Sequence, residues 1–203
     1  MARADAREKV LTAARAVFAR EGYRAATVSH ILAEAGIARG TFYRYYSNKR
    51  EVFYEIVSDL FKTLYDASRE TLGGEELAME SQVKESLELA YRLFLENRGV
   101  IVIYFREAFR ADPGFYALWE NFEKRMITLF SGVLTRGMKG GAFREIDTGL
   151  ISRAMFQLFM QVPYWDILLG GISEIDVVAM ADEMVSFVVR GIAAAPSSHA
   201  DAR

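Results

Sequence analysis

Gly36-Ile37-Ala38-Arg39-Gly40-Thr41-Phe42-Tyr43-Arg44-Tyr45-Tyr46-Ser47-Asn48-Lys49 is the stretch on which the fold of this chain turns. It reads as a Gly-marked turn, then a helix of roughly two turns, then a capped start to a longer helix. Ile37 and Phe42 are its apolar anchors, while Arg39, Thr41, Tyr43 and Lys49 are left to point outward, each with a hydrogen-bond donor. Outward donors on a short helix are what an element that reads a nucleic-acid groove needs.

Working outward, Val10, Ala13, Ala14, Val17 and Phe18 recur at helical spacing and predict a first helix over Ala4 to Arg20, stopped by Gly22. Thr27 caps a second helix through Ala35, with Val28, Ile31 and Leu32 inward. Gly36 ends it, and a third starts two or three residues later. Two short helices joined by a brief Gly-containing turn make the helix-turn-helix pattern. Asn48-Lys49-Arg50-Glu51 resembles a capping box and opens a fourth helix, about 49–70. Lys49 there faces the positive end of the helix dipole, a placement that makes sense beside a phosphate.

Beyond Gly73-Gly74 the pattern stays helical. A fifth helix is expected over Glu76 to Asn97, stopped at Arg98-Gly99. The run from Val100 to Phe105 would suit a buried strand, but with no partner strand elsewhere it reads as a buried helix to Phe109. Asp112-Pro113 opens a seventh helix running to Gly140-Gly141. Asp147 opens an eighth, to Gly170-Gly171, and Ser173 to Asp176 a ninth, ending near Ala193. The expected class is all-α with about nine helices: a three-helix head over 1–50, a helical body over 51–195, the fourth helix connecting them, and a disordered tail over 196–203.

Composition narrows the function. The 203 residues contain no cysteine, which excludes disulfides and thiolate chemistry, and the two histidines, His30 and His199, lie far apart. There is no metal-ligand spacing, no Gly-rich phosphate loop and no nucleophile elbow, so neither a metal, a cofactor nor an enzyme is expected. The N-terminus lacks an apolar signal segment and the longest apolar stretch is broken by polar residues, so the cytoplasm is the expected compartment and a membrane is not an expected partner. The net charge of −2 hides an asymmetry. Residues 1–50 carry ten Lys/Arg against four Asp/Glu, a net of +6, which leaves −8 on the rest. A cationic head on an acidic body suits an anionic polymer held by the head alone.

Thr27-Val28, Ala35 through Tyr46 and Lys49, with Phe18 and Gly22-Tyr23 before them, closely resemble the DNA-binding head of TetR-type regulators. The resemblance covers about residues 5–60. It implies that the third helix, about Arg39 to Tyr45, enters the major groove of double-stranded DNA. By position, Arg39, Gly40 and Thr41 would meet base edges or the adjoining backbone. Thr27, Tyr43 and Lys49 would hold phosphates, and Arg44 or Tyr45 would add contacts. Ala38 departs from the pattern, because a hydroxyl residue often stands there in the family; the third helix then lacks a side-chain cap.

The eighth and ninth helices are apolar on more than one face, which predicts a homodimer paired through them. Met155, Leu158, Val162, Trp165 and Leu169 are the interface candidates on the eighth, and Val177, Met184 and Val188 on the ninth. Two copies would set two recognition helices on a palindromic operator. The body is also rich in large adaptable side chains, and with the family resemblance this suggests a cavity for a small lipophilic or aromatic effector. Phe94, Tyr104, Phe105, Trp119 and Phe122 are its expected lining, together with Met126, Met155 and Phe159. Tyr104, Trp119, Arg106, Glu107 and Gln157 are candidates to orient the ligand. The resulting expectation is a DNA-binding transcriptional regulator, a repressor released from its operator by that effector. The alternative is a ligand-independent DNA-binding dimer whose body serves only to pair two heads.

Overall fold

Gly22 decides how the first helix meets the rest of the head. Helix α1 (Ala2–Ala25) is broken there, with φ 78° and ψ 165°, values that an L side chain rarely adopts. The expected stop at Gly22 is thus a break, after which one more helical turn leads to Thr27. The computed structural model describes residues 2–74, 79–109, 111–164 and 176–193. Among these residues there are nine α-helices, one π-helical turn and no β-strand.

The chain forms two compact units. The first comprises Met1–Leu64 with Leu93–Phe122. In it α1 packs against α2 (Val28–Ala35) and α3 (Arg39–Phe42), with Val10, Ala14, Val17, Phe18, Ile31 and Phe42 buried between them. Helix α4 (Lys49–Gly73) adds Val52, Phe53, Ile56 and Leu60 to the buried residues. The capping reading of its start is met in detail: Asn48 Oδ1 accepts from Glu51 N at 3.1 Å, and Glu51 Oε2 reaches back to Ser47 N at 2.7 Å.

The expected single helix over 100–109 is corrected. Helix α6 (Arg98–Ile103) begins directly at Arg98, without a stop at Arg98-Gly99, and packs on α1. Gly99 faces Ala19 there, and a Cβ in its place would make an ordinary 3.5 Å contact. The next five residues, Tyr104–Ala108, form the π-helical turn, closed by Phe109 N to Tyr104 O at 2.8 Å. Helix α7 (Pro113–Lys139) starts as the Asp-Pro pair predicts, with Asp112 Oδ1 accepting from Gly114 N at 2.8 Å.

The second unit comprises Tyr65–Arg92 with Glu123–Arg203. Its described helices are the end of α4, α5 (Met79–Glu96) to Arg92, the rest of α7, α8 (Thr148–Tyr164) and α9 (Val177–Ile192). Buried Tyr91 ties three of them, its hydroxyl 3.1 Å from Phe159 O and 3.0 Å from Met184 Sδ. Asp147 and Asp176 cap α8 and α9, accepting from Leu150 N and from Val178 N and Ala179 N. The expected end of the eighth helix at Gly170-Gly171 and the tail over 196–203 lie outside the described residues.

Candidate DNA-binding head

Thr27 is the N-cap of α2, its Oγ1 accepting from His30 N at 3.2 Å, and Gly36 closes α2 in the left-handed region. The next helix is shorter than expected. α3 ends at Phe42, and Tyr43 to Tyr45 continue as a turn, with Tyr45 N and Tyr46 N both donating to Phe42 O. Two causes are visible. Ala38 has no side chain to cap the start of α3, as its departure from the pattern suggested. Phe42 and Tyr46 are both buried, ring centroids 5.8 Å apart, which tightens the chain between them. Tyr46 is a packing residue, its hydroxyl 3.0 Å from Glu55 Oε1 and pushed up in pKa by burial first.

Around that anchor the expected contact residues of 39–45 are exposed or half-buried. Arg39, Gly40, Tyr43 and Arg44 are exposed, and Thr41 and Tyr45 half-buried. The Arg39 guanidinium stands 5.6 Å from the centre of the Tyr43 ring, and that of Arg44 5.9 Å from the Tyr45 ring. Such stacking limits the rotamers of both arginines, and Arg44 also donates to Thr41 Oγ1 at 3.5 Å.

Lys49 is placed differently from a free phosphate clamp. Its ammonium donates to three backbone carbonyls, Tyr23 O at 2.7 Å, Arg24 O at 2.9 Å and Ala26 O at 2.6 Å. An ammonium has three N–H bonds, so all three serve the chain itself. Burial lowers its pKa, and nearby Glu107 opposes that shift. Any phosphate at Lys49 shares an ammonium that already closes the turn between α1 and α2.

Two pairs that sequence reasoning missed also hold the head. Arg50 bonds Asp112 through both oxygens, and its guanidinium lies 5.6 Å from the Phe115 ring centre. The Arg50 hydrogen bond, with help from Gly114 N–H, holds the Asp112 carboxyl well below its ordinary range, at about 2. Glu107 Oε2 accepts from Arg24 N at 2.9 Å, so this carboxylate, expected to orient an effector, is committed to the head. Residues 62 and 83 positions apart leave no local spacing signal.

The expected cavity lining is divided between the units. Phe94, Tyr104, Phe105, Trp119 and Phe122 fall in the first, and Met126, Met155 and Phe159 in the second. In the first unit Phe61 stacks on Phe122 at 4.8 Å and meets Tyr104 edge-on at 5.3 Å, while Tyr104 donates to Phe115 O at 2.7 Å. In the second, Phe130 meets Phe159 at 5.8 Å, and Gln157 Nε2 donates to Glu123.

Two of the interface residues need correcting. Met155 and Met184 are buried within the chain, where they fill its own core and offer no surface to a second copy. Leu158, Val177 and Val188 are half-buried. Trp165 and Leu169 lie outside the described residues, as does the side chain of Val162. Among the described side chains, the large apolar ones exposed on α8 and α9 are Leu150, Val178 and Phe187, the last 74% exposed.

A long first helix and two short ones around Phe18 and Phe42, with a cationic outward face, define a helix-turn-helix DNA-binding protein. The chain belongs to the tetR family of bacterial regulatory proteins: residues 10–56 match that family, and 76–192 match the tetracyclin repressor-like C-terminal domain. It is similar to the transcriptional repressor KstR2 of Rhodococcus jostii, 30% identical over 92% of this chain and 91% of that one. The fatty acid metabolism regulator protein of Bacillus subtilis is 25% identical, over 91% and 94%. Among solved structures, the fatty acid degradation regulator FadR of Bacillus halodurans superposes with a TM-score of 0.73 at 23% identity, covering 91% of this chain and 98% of that chain. The protein is accordingly a DNA-binding transcriptional regulator. Among the described residues no helix is long and apolar enough to cross a membrane, and no cluster of His or acidic residues suits a metal.

Proposed function

We propose that this regulator is a cytoplasmic repressor, acting by binding and not by catalysis, that grips a palindromic operator as a homodimer and lets go when a small lipophilic effector binds its body. The observation that carries the DNA half is the exposed Arg39–Gly40–Tyr43–Arg44 face mounted on buried Phe42. Arg39, Gly40 and Thr41 meet base edges or the adjoining backbone; Thr27 and Tyr43 take phosphates, with Arg44, Tyr45 and Lys49 adding contacts. The dimer is supported by the apolar surface at Leu150, Val178 and Phe187, extended by half-buried Leu158, Val177 and Val188. The effector is supported by the aromatic residues Tyr104, Phe105, Trp119 and Phe122. The names of two relatives make fatty acids the first class to try.

A duplex carrying the inverted repeat from this protein's own promoter tests the reading. The protein shifts that duplex at low salt, and a fatty acid that raises its melting temperature also releases the DNA. Release requires tighter binding of the ligand to the DNA-free state. DNA binding that no apolar compound alters, with no thermal stabilisation by any, would instead establish the ligand-independent dimer.

A further inference from the structure

The turn leading into α2 is held through its backbone by two charged side chains from elsewhere in the chain. Its carbonyls at Tyr23, Arg24 and Ala26 go to Lys49, and its amide at Arg24 goes to Glu107 Oε2 at 2.9 Å. The other carboxylate oxygen of Glu107 lies 2.9 Å from where a Cβ on Gly22 would stand. Gly22 has φ 78°. A side chain at position 22 would therefore be strained and would displace the carboxylate. Glu107 sits on the π-helical turn Tyr104–Ala108, and such turns are frequent at functional sites. It also lies in the part of the chain that matches the C-terminal domain, yet it forms part of the head.

We propose that Glu107 is a positioning residue for operator recognition: its carboxylate fixes the Gly22–Ala26 turn, and with it Thr27 and the start of the helix-turn-helix. This rests on the reading of α2 and α3 as the DNA-binding element. The role rests on the reach of an acceptor oxygen; the carboxylate's negative charge also faces the Lys49 ammonium, and the Gln variant separates the two. Gly22 keeps the space open, and Lys49 holds the same turn by its carbonyls.

The test uses the full chain with Glu107→Ala, Glu107→Gln and Glu107→Asp. Affinity is measured for a duplex that the wild type selects from a random-sequence pool, and for a scrambled duplex of the same composition. Gln keeps the reach and loses the charge; Asp keeps the charge and falls one methylene short. Ala and Asp are expected to weaken the selected duplex roughly tenfold, the upper end of what one ordinary hydrogen bond contributes. Gln is expected to stay within about threefold of wild type on the same scale. Scrambled-duplex binding, which needs only phosphate contacts, should change less than about twofold in all three. Gly22→Ala should behave like Glu107→Ala, because its methyl meets Oε1 and so displaces the carboxylate whose Oε2 accepts from Arg24 N. If Asp behaves as wild type while Gln falls, charge and not position is at work and the inference is overturned. It is also overturned if both duplexes weaken alike in step with a lower melting temperature, or if no variant differs from wild type. Should the Ala variant fail to fold, the Gln and Asp pair decides alone. A wild type that selects no sequence from the pool sinks the DNA-binding reading itself.

Discussion

Gly40 has no neighbour of its own to make room for: a Cβ there would meet nothing within 4 Å. Nothing in the chain requires a glycine there, and in the proposed complex the space is taken by the DNA backbone. Gly40→Ala should leave the melting temperature unchanged or raise it, since Ala favours a helix by up to about 1 kcal/mol. Operator affinity should fall all the same, by roughly tenfold if one phosphate contact is lost. Calorimetry and a binding titration on one preparation check the two halves together. Asp112 makes a second prediction at this scale. Arg50 holds its carboxyl at about 2 against an ordinary 3.8. A carboxyl depressed in the folded state stabilises above its unfolded pKa and loses that contribution as pH falls through the folded value. The gap in melting temperature between wild type and Asp112→Asn should therefore be steady near neutrality and close between about pH 4 and 2. A gap that persists at pH 2 would contradict it. Neither the Arg50 pair nor the Glu107 contact was legible in the sequence. Asp112 looked only like a cap, Arg50 only like part of a basic head, and nothing local announces a partner so far along the chain.

Helix starts were the readable part of the elements, because a cap is a local event. Thr27, Asn48 with Glu51, Asp112 before Pro113, Asp147 and Asp176 each make the bond their type predicts. The misreadings share a different cause. Buried Phe42 and Tyr46 cut α3 short, and the turn at Tyr104–Ala108 widened to a π-helix, in response to packing that a periodicity does not encode. The missing cap of α3 yields a prediction. Ala38 has an extended backbone, φ −70° and ψ 147°, suited to a capping hydroxyl. Ala38→Ser should stabilise the protein by about 0.5–1 kcal/mol, read as a higher denaturant midpoint at unchanged slope. No stabilisation would mean that α3 gains nothing from a side-chain cap.

At the scale of the whole molecule the asymmetry of charge and apolar surface carries the account. The first 50 residues hold a net of +6, and the other 153 hold −8. The body exposes Phe187, Leu150 and Val178 on α8 and α9. That α8 and α9 are apolar on more than one face was legible; which of their large side chains stay exposed was not. Met155 is buried and Met184 turns inward to Tyr91, leaving Phe187, whose face the helical period alone did not separate from theirs. Phe187→Glu should yield a folded chain, unchanged in helix content, that elutes as a single copy and binds the operator at least about tenfold more weakly; each buried Phe contributes about 1.5–3 kcal/mol to association. A variant that still elutes as a pair would move the interface elsewhere.

The most direct test of the central claim, two cationic heads on one duplex, is the stoichiometry and salt dependence of binding by sedimentation on the promoter inverted repeat. The account predicts two chains per duplex and an affinity whose logarithm falls linearly with the logarithm of salt concentration, at a slope of roughly one per phosphate held. One chain per duplex, or an affinity indifferent to salt, would contradict it.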